Sequence, residues 1–218
     1  GIENPDRYIN PSLDDIESPL NLDNMKRGYA LLSKHINSFS KIALIVDCDC
    51  DGYTSAAIIY NFLKTYFEVD IDYYIHEGKQ HGLEDMVDKL INKNYGLVLI
   101  PDAGSNDFEQ QKALNEIGTD ILILDHHLVD NIDKDLYECN EHTIIINNQL
   151  SQEYTNKALS GAGVTWQFCK HYEEMILDWA LDDTNPPIIN NLMDLAAVGI
   201  IGDCMDMRSY ENRAFSHF

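Results

Sequence analysis

The sequence predicts an α/β fold: a doubly wound, mostly parallel five-stranded sheet with flanking helices, followed by a helical C-terminal part. Three observations carry this expectation. Five short apolar runs lie between residues 42 and 146, and helix-like segments separate most of them, the alternation that a parallel sheet needs. Several runs are apolar without interruption, as strands covered on both faces are. Beyond residue 155 the spacing of apolar residues is helical.

Taken in order, residues 1–21 carry Pro5, Pro11 and Pro19 among polar residues and read as an arm lying on the surface. From Asp23 to Asn37 the apolar positions Met25, Tyr29, Leu32 and Ile36 have a helical period, so residues 1–40 are an arm and a helix packed on the main domain, 41–218. Residues 42–46 are the first strand. A helix follows over 54–67, with Ala56, Ile59, Leu63 and Phe67 on one face. The second strand is 71–75, then a loop over 76–82 and a helix over 83–91. Residues 97–101 form the third strand, and a helix over 107–117 starts at an N-cap of Ser105 or Asn106. The fourth and fifth strands are 121–124 and 143–146. Helices are expected from Gly163 to about Leu181 and, after the Pro186-Pro187 break, from Ile188 to about Gly199. Trp166 and Trp179 fall on helical segments and are expected in the core.

With 218 residues, 44% of them hydrophobic and 10% aromatic, the chain can bury a substantial core. Its formal charge of −22 excludes a generic basic surface that coats nucleic acid. It does not exclude an enzyme acting on nucleic acid, because metal ions supply positive charge locally. The five cysteines (48, 50, 139, 169 and 204) are odd in number and lack zinc-knuckle spacing, which suggests reduced, mostly buried thiols in a cytoplasmic protein. No apolar run approaches membrane-spanning length, so no membrane partner is expected.

The chemistry concentrates after the strands. Asp47, Asp49 and Asp51 occupy alternate positions directly after the first, ahead of Gly52. If the backbone stays extended there, all three carboxylates face one side and Cys48 and Cys50 the other. Such carboxylates repel by up to roughly 4 kcal/mol per close pair, and a divalent cation relieves this. An acidic turn in an acidic protein is the alternative. Asp102 follows the third strand, and Asp125-His126-His127 ends the fourth. Ligands of doubly wound sheets bind beyond the carboxyl ends of the strands, so three loops deliver these groups to one edge, which favours a metal site.

These motifs resemble those of the DHH phosphoesterase superfamily, in its branch of RecJ-type single-strand exonucleases. Asp-x-Asp-x-Asp-Gly is similar to the first motif, Asp102 to the second, Asp125-His126-His127 to the third, and Asp194 to Asp203 to the fourth. Leu159-Ser160-Gly161-Ala162-Gly163-Val164 resembles the branch's glycine-rich helix start. Asn10-Pro11-Ser12-Leu13 resembles its arm, and Glu211-Asn212-Arg213 a step after the fourth motif. The resemblance covers the chain from about residue 8.

It implies a 5′-to-3′ exonuclease on single-stranded DNA that uses two divalent ions, Mn before Mg, in a two-metal displacement. Asp47, Asp49 and Asp102 would hold one ion; Asp51, Asp102, His126 and Asp203 would hold the other. His127 would contact the scissile phosphate or leaving group, and Asp125 would orient a histidine. Ser160, Gly161 and Gly163 open a helix whose N–H groups would hold a substrate phosphate or simply pack on the sheet. Lys79 and His81 are candidate phosphate contacts or solvated loop residues. Arg213, with Arg208, is a backbone clamp or a salt-bridge partner. RecJ-type enzymes continue into a smaller substrate-gripping domain, so a downstream clamping domain or a partner protein is expected. Two other functions stay open: a phosphodiesterase of the same superfamily on short oligonucleotides, cyclic dinucleotides or pyrophosphate, and a noncatalytic replication scaffold.

Overall fold

The five apolar runs do form one sheet. In the computed structural model the strands are β1 (Ile42–Val46), β2 (Ile71–Ile75), β3 (Leu97–Pro101), β4 (Asp120–Asp125) and β5 (Thr143–Asn147). Their order is β2-β1-β3-β4-β5 and all four pairings are parallel. The structure describes residues 1–76, 78, 80–130, 137, 139–179 and 187–218, with the backbone alone at 178 and 179.

The period of two along each strand divides its side chains between two cores. Ile42, Leu44, Val46, Leu97, Leu99, Leu122, Leu124, Ile144 and Ile146 point to one face. There they meet α2 (Met25–Asn37), α3 (Cys50–Tyr66), α6 (Gly161–Trp179) and α7 (Met193–Gly202). Ala43, Ile45, Val98, Ile100, Ile121, Ile123 and Ile145 point to the other, against Leu83, Met86 and residues of α4 (Val87–Leu90) and α5 (Phe108–Glu116). Apolar runs without alternation are what two-sided burial requires. The order reverses direction between β1 and β3, the switch point at which such sheets open a crevice beyond the strand ends.

Several boundaries differ from the sequence expectation. Helix α3 begins at Cys50, four residues early, because Asp49 caps it by accepting from the Gly52 N–H at 2.9 Å. The helix expected over 83–91 shrinks to Val87–Leu90. A 3₁₀ turn, Ile189–Leu192, leads into α7, and the end of the preceding helix beyond Trp179 lies outside the described residues, as does Pro186. The expectation of mostly buried thiols fails: Cys169 is buried, Cys48 half-buried, and Cys50, Cys139 and Cys204 are exposed.

The arm is also not merely a surface segment. It contains a short helix, α1 (Pro5–Ile9), two 3₁₀ turns, and buried Pro11, Ile16 and Pro19. A further helix, α8 (Tyr210–Phe215), holds it down. Buried Glu211 accepts hydrogen bonds from Glu17 N, Tyr154 Oη, Asn156 Nδ2 and Gln167 Nε2 at 2.6–3.0 Å, joining the arm, α6 and the 154–156 loop. Trp166 is core, donating its indole N–H to the Ile189 carbonyl at 2.9 Å, whereas the Trp179 side chain lies outside the described residues.

Candidate metal centre

Strand register brings the motif residues level. Leu44 pairs with Leu99 and Pro101 with Leu124, so Asp47 just past β1, Asp102 just past β3 and Asp125 at the end of β4 fall in one row. The Asp102 N–H donates to the Leu124 carbonyl at 2.8 Å and locks that row. Asp102 itself has φ of 70°, a left-handed conformation costing about 1 kcal/mol in a residue with a Cβ. Backbone strain of this kind gathers where a side chain must be aimed.

The early start of α3 separates the three aspartates that an extended backbone would have aligned. One carboxylate oxygen each of Asp47, Asp49 and Asp102 fall within 4.8 Å of one another. Asp51, in the first turn of α3, joins a second group with His126 and Asp203, the residue that caps the C-terminal end of α7. His126 Nε2 lies 3.2 Å from Asp102 Oδ1, 3.6 Å from Asp203 Oδ2 and 3.7 Å from Asp51 Oδ2. Asp102 therefore stands between the two groups. A third grouping, Asp102, His126 and His127, shares the same center.

Asp51 is held from behind. Ser160 Oγ donates to it at 2.9 Å, Gly161 N at 2.7 Å and Ala162 N at 3.1 Å, so the start of α6 is occupied by this carboxylate. Of the two readings of this stretch, phosphate cradle or packing, the contacts favour the second: the N–H groups of Gly161 and Ala162 are engaged by Asp51, and Gly163 packs against Leu159. Gly161 is required for another reason. A Cβ there would lie 2.3 Å from Asp102 Oδ1 and 2.7 Å from its Cα.

The electrostatics are those of a cation site. Burial, then the neighbouring carboxylates of Asp51, Asp125 and Asp49, push the Asp102 carboxyl well above its ordinary range. Asp203 is pushed up as well, by burial and by Asp51 and Asp49, against the pull of the histidines. Asp102 Oδ1 is buried and has no hydrogen-bond partner among the described residues, with His126 Nε2 3.2 Å away. A buried carboxylate oxygen with no donor is costly unless a ligand supplies the missing charge. Carboxylate oxygens with an imidazole nitrogen suit a hard or borderline divalent ion such as Mn or Mg, so the residues fit the group.

Two imidazoles border the centre, each held by an aspartate. Asp125 is fully buried, yet its bonds from His127 Nδ1 at 2.8 Å, from Ser105 N and from the His126 and His127 N–H groups outweigh burial and keep its carboxyl far below the usual range. In return the His127 ring is raised to about 9 by that hydrogen bond, against the opposing effect of burial. His81 Nδ1 bonds Asp47 Oδ2 at 2.7 Å, and this bond raises its pKa. Both rings leave Nε2 as the free nitrogen.

Of the remaining candidates, Lys79 lies outside the described residues. Arg213 is turned to the arm, its guanidinium 5.5 Å from the Tyr8 ring, and Arg208 forks onto Asp206 at 2.6–3.0 Å. Arg208 thus makes the salt bridge that was the alternative to clamping nucleic acid, whereas the contact of Arg213 is with an aromatic ring. The tie between His81 and Asp47 had no sequence signal, since 34 residues separate them. Gly199 and Gly202 did carry one: glycines spaced three apart before Asp203 let α7 approach α3.

Comparison with known proteins identifies the family and the fold. The model of the DHH family, N-terminal domain, matches residues 41–200. A prophage-derived single-strand DNA-specific exonuclease, YorK, of Bacillus subtilis is 37% identical over 216 residues, 99% of this chain and 34% of that protein. The single-stranded-DNA-specific exonuclease RecJ of the same organism is 27% identical, over 91% of this chain and 23% of its own length. The chain thus spans about a third or less of these relatives. Among solved structures, exonuclease RecJ bound to manganese superposes with a TM-score of 0.73 at 24% identity, covering 89% of this chain and 46% of that one. RecJ from Thermus thermophilus in complex with Mn2+ gives 0.72 at 22% identity, covering 96% and 28%. Both structures share the fold.

Proposed function

Because this chain belongs to the DHH family, we propose that it forms the catalytic centre of a metal-dependent exonuclease removing nucleotides from single-stranded DNA in the 5′-to-3′ direction. One observation supports this most: five aspartates and a histidine from four separate segments meet at the carboxyl edge of the sheet, around a buried Asp102 oxygen that no donor satisfies. Asp47, Asp49 and Asp102 are the proposed ligands of one divalent ion, and Asp51, Asp102, His126 and Asp203 those of a second, with Mn favoured over Mg. When bound, such ions lower the pKa of a coordinated water and neutralise phosphate charge.

The chain's own groups do the positioning. Ser160, Gly161 and Ala162 fix the direction of Asp51, and Asp102 couples the two donor groups. Asp125 holds the His127 ring so that Nε2 faces outward, where a charged imidazole donates to a non-bridging phosphate oxygen. His81, anchored to Asp47, offers a second imidazole edge beside the same group.

YorK, more than a third identical to this chain, is by name specific for single-stranded DNA, which supports that substrate. A net charge of −22 leaves the chain little means to attract a polyanion. The grip on the strand is therefore assigned to residues outside these 218 or to a partner protein. No helix of the described residues is long and apolar enough to cross a membrane.

Single strands labelled at either end and incubated with Mn test the proposal. Early release of labelled nucleotide from the 5′ end, little action on duplex and none in chelator are expected. Release from the 3′ end first, equal attack on duplex, or activity that survives chelation would refute it.

A further inference from the structure

Beside the metal centre, helices α3 and α7 cross at close range. A Cβ added at Gly199 would meet Asp51 Oδ1 at 2.3 Å and Thr54 Oγ1 at 2.6 Å, and one at Gly202 would meet Cys50 Sγ at 2.5 Å. Cys50 Sγ lies 3.8 Å from the Val198 carbonyl, on the solvent side of this contact. Cys50 and Tyr53 share a face of α3 at a spacing of three, as do Val198 and Ile201 on α7. Tyr53, Val198 and Ile201 are 47%, 50% and 56% exposed. The result is an uncharged ledge with one aromatic ring.

Its border is the metal centre. The Tyr53 N–H donates to the Asp49 carbonyl at 3.1 Å, so the Tyr53 backbone lies one helical turn, about 5.4 Å, along α3 from a candidate ligand. Asp203 directly follows Gly202. In a chain with 37 acidic and 15 basic residues, the phosphates of a strand are repelled from most of the surface. Bases are uncharged and stack on aromatic faces regardless of sequence, so an apolar strip at the edge of the phosphate site suits a base and not the backbone.

We propose that this ledge, centred on Tyr53, is the subsite for the nucleobase next to the phosphodiester held at the carboxylates. The inference rests on the nucleic-acid function proposed above. It predicts preference for a base of any identity over an abasic sugar at that position.

The test compares the chain with Tyr53→Ala and Tyr53→Phe. With Ca in place of Mn, binding of thymidine 5′-monophosphate and of deoxyribose 5-phosphate is measured by calorimetry. The wild-type chain should prefer the nucleotide about tenfold, Tyr53→Ala should reduce that ratio to about one, and Tyr53→Phe should restore it. With Mn, the ratio of cleavage rates for base-bearing and abasic strand ends should follow the same pattern. Equal Mn-induced melting shifts in all three proteins establish that the fold and metal centre are intact. A base preference that is absent, or that survives Tyr53→Ala, overturns the ledge whether or not strands are cleaved. Base-dependent binding that is lost in Tyr53→Ala upholds the ledge, and the end-label assay tests the exonuclease function separately.

Discussion

Asp102→Asn is the substitution that separates the folding role of the central carboxylate from its ligand role. In the metal-free protein, oxygens of Asp47, Asp49 and Asp102 lie within 4.8 Å of one another, which opposes folding by about 3.5 kcal/mol per fully charged pair at an effective dielectric of 20. Solvent screens the exposed Asp49, and His81 partly neutralises Asp47, so the net relief on removing the Asp102 charge is about 1–3 kcal/mol. Asparagine keeps the shape and tolerates the φ of 70°. In chelator the variant should therefore melt about 2–12 °C above the wild-type chain, since 1 kcal/mol moves Tm by about 2–4 °C at this size. With saturating Mn that gap should narrow. An ion at a hundred times its Kd stabilises the wild-type chain by about 2.7 kcal/mol, and the variant, short of its shared ligand, should gain less than half of that shift. Scanning calorimetry of both proteins in chelator and in Mn reads all four values. A variant no more stable than wild type in chelator would show that Asp102 is not under charge repulsion. Equal Mn shifts in the two proteins would show that it is not a ligand.

His127→Ala should lower turnover by about a hundredfold or more while keeping most of the Mn-induced melting shift, if its role is toward phosphate; loss of the shift would instead make it a ligand, as its proximity to Asp102 and His126 allows. Away from this centre, Asp120 at the start of β4 accepts from Lys34 at 2.7 Å, His35 at 2.9 Å and His142 at 2.8 Å, and these partners overcome its burial and depress its pKa. A depressed carboxylate stabilises fully above its ordinary value near 3.8 and loses that contribution as pH falls through the folded value. Asp120→Asn should therefore lower stability at neutral pH and flatten the acid limb below about pH 4, as urea titrations across pH would record. Binding of the chain to a single-stranded oligonucleotide in Ca should be weak and should fall only shallowly with salt, because few cations are placed to displace counterions; tight binding with a steep slope would reveal a basic groove within these residues.

Much of the architecture was legible because each strand is a two-sided apolar run. Residues such as Ile42–Val46 and Leu97–Pro101 have no polar position to spare, which restricts them to the middle of a covered parallel sheet. Once that sheet is granted, any polar residue directly past a strand falls at one edge, and Asp47, Asp102 and Asp125 needed no further information. What was hidden depends on contacts between distant segments. Glu211 reads as a surface acid of a short helix, yet it is buried under four donors from three parts of the chain. The start of α6 reads equally as an anion site or as a packing surface, and only the fold shows that Asp51 occupies its N–H groups.

The division of the aspartates between the two donor groups turns on a local competition at Asp49. An extended backbone would have placed Asp47, Asp49 and Asp51 in a single row, where one ion could compensate them but their mutual repulsion would be greatest. Asp49 instead accepts the Gly52 N–H and starts α3 within four residues of the end of β1. Only glycine permits so tight a turn, since a Cβ at 52 would lie 2.5 Å from that of Asp47. The helix then carries Asp51 away from Asp47 and onto the start of α6, facing His126 and Asp203. One N-cap thus divides three like-charged neighbours in sequence between two donor groups, and Asp102, strained and without a hydrogen-bond donor among the described residues, lies beside both, in one with Asp47 and Asp49 and 3.2 Å from His126 of the other.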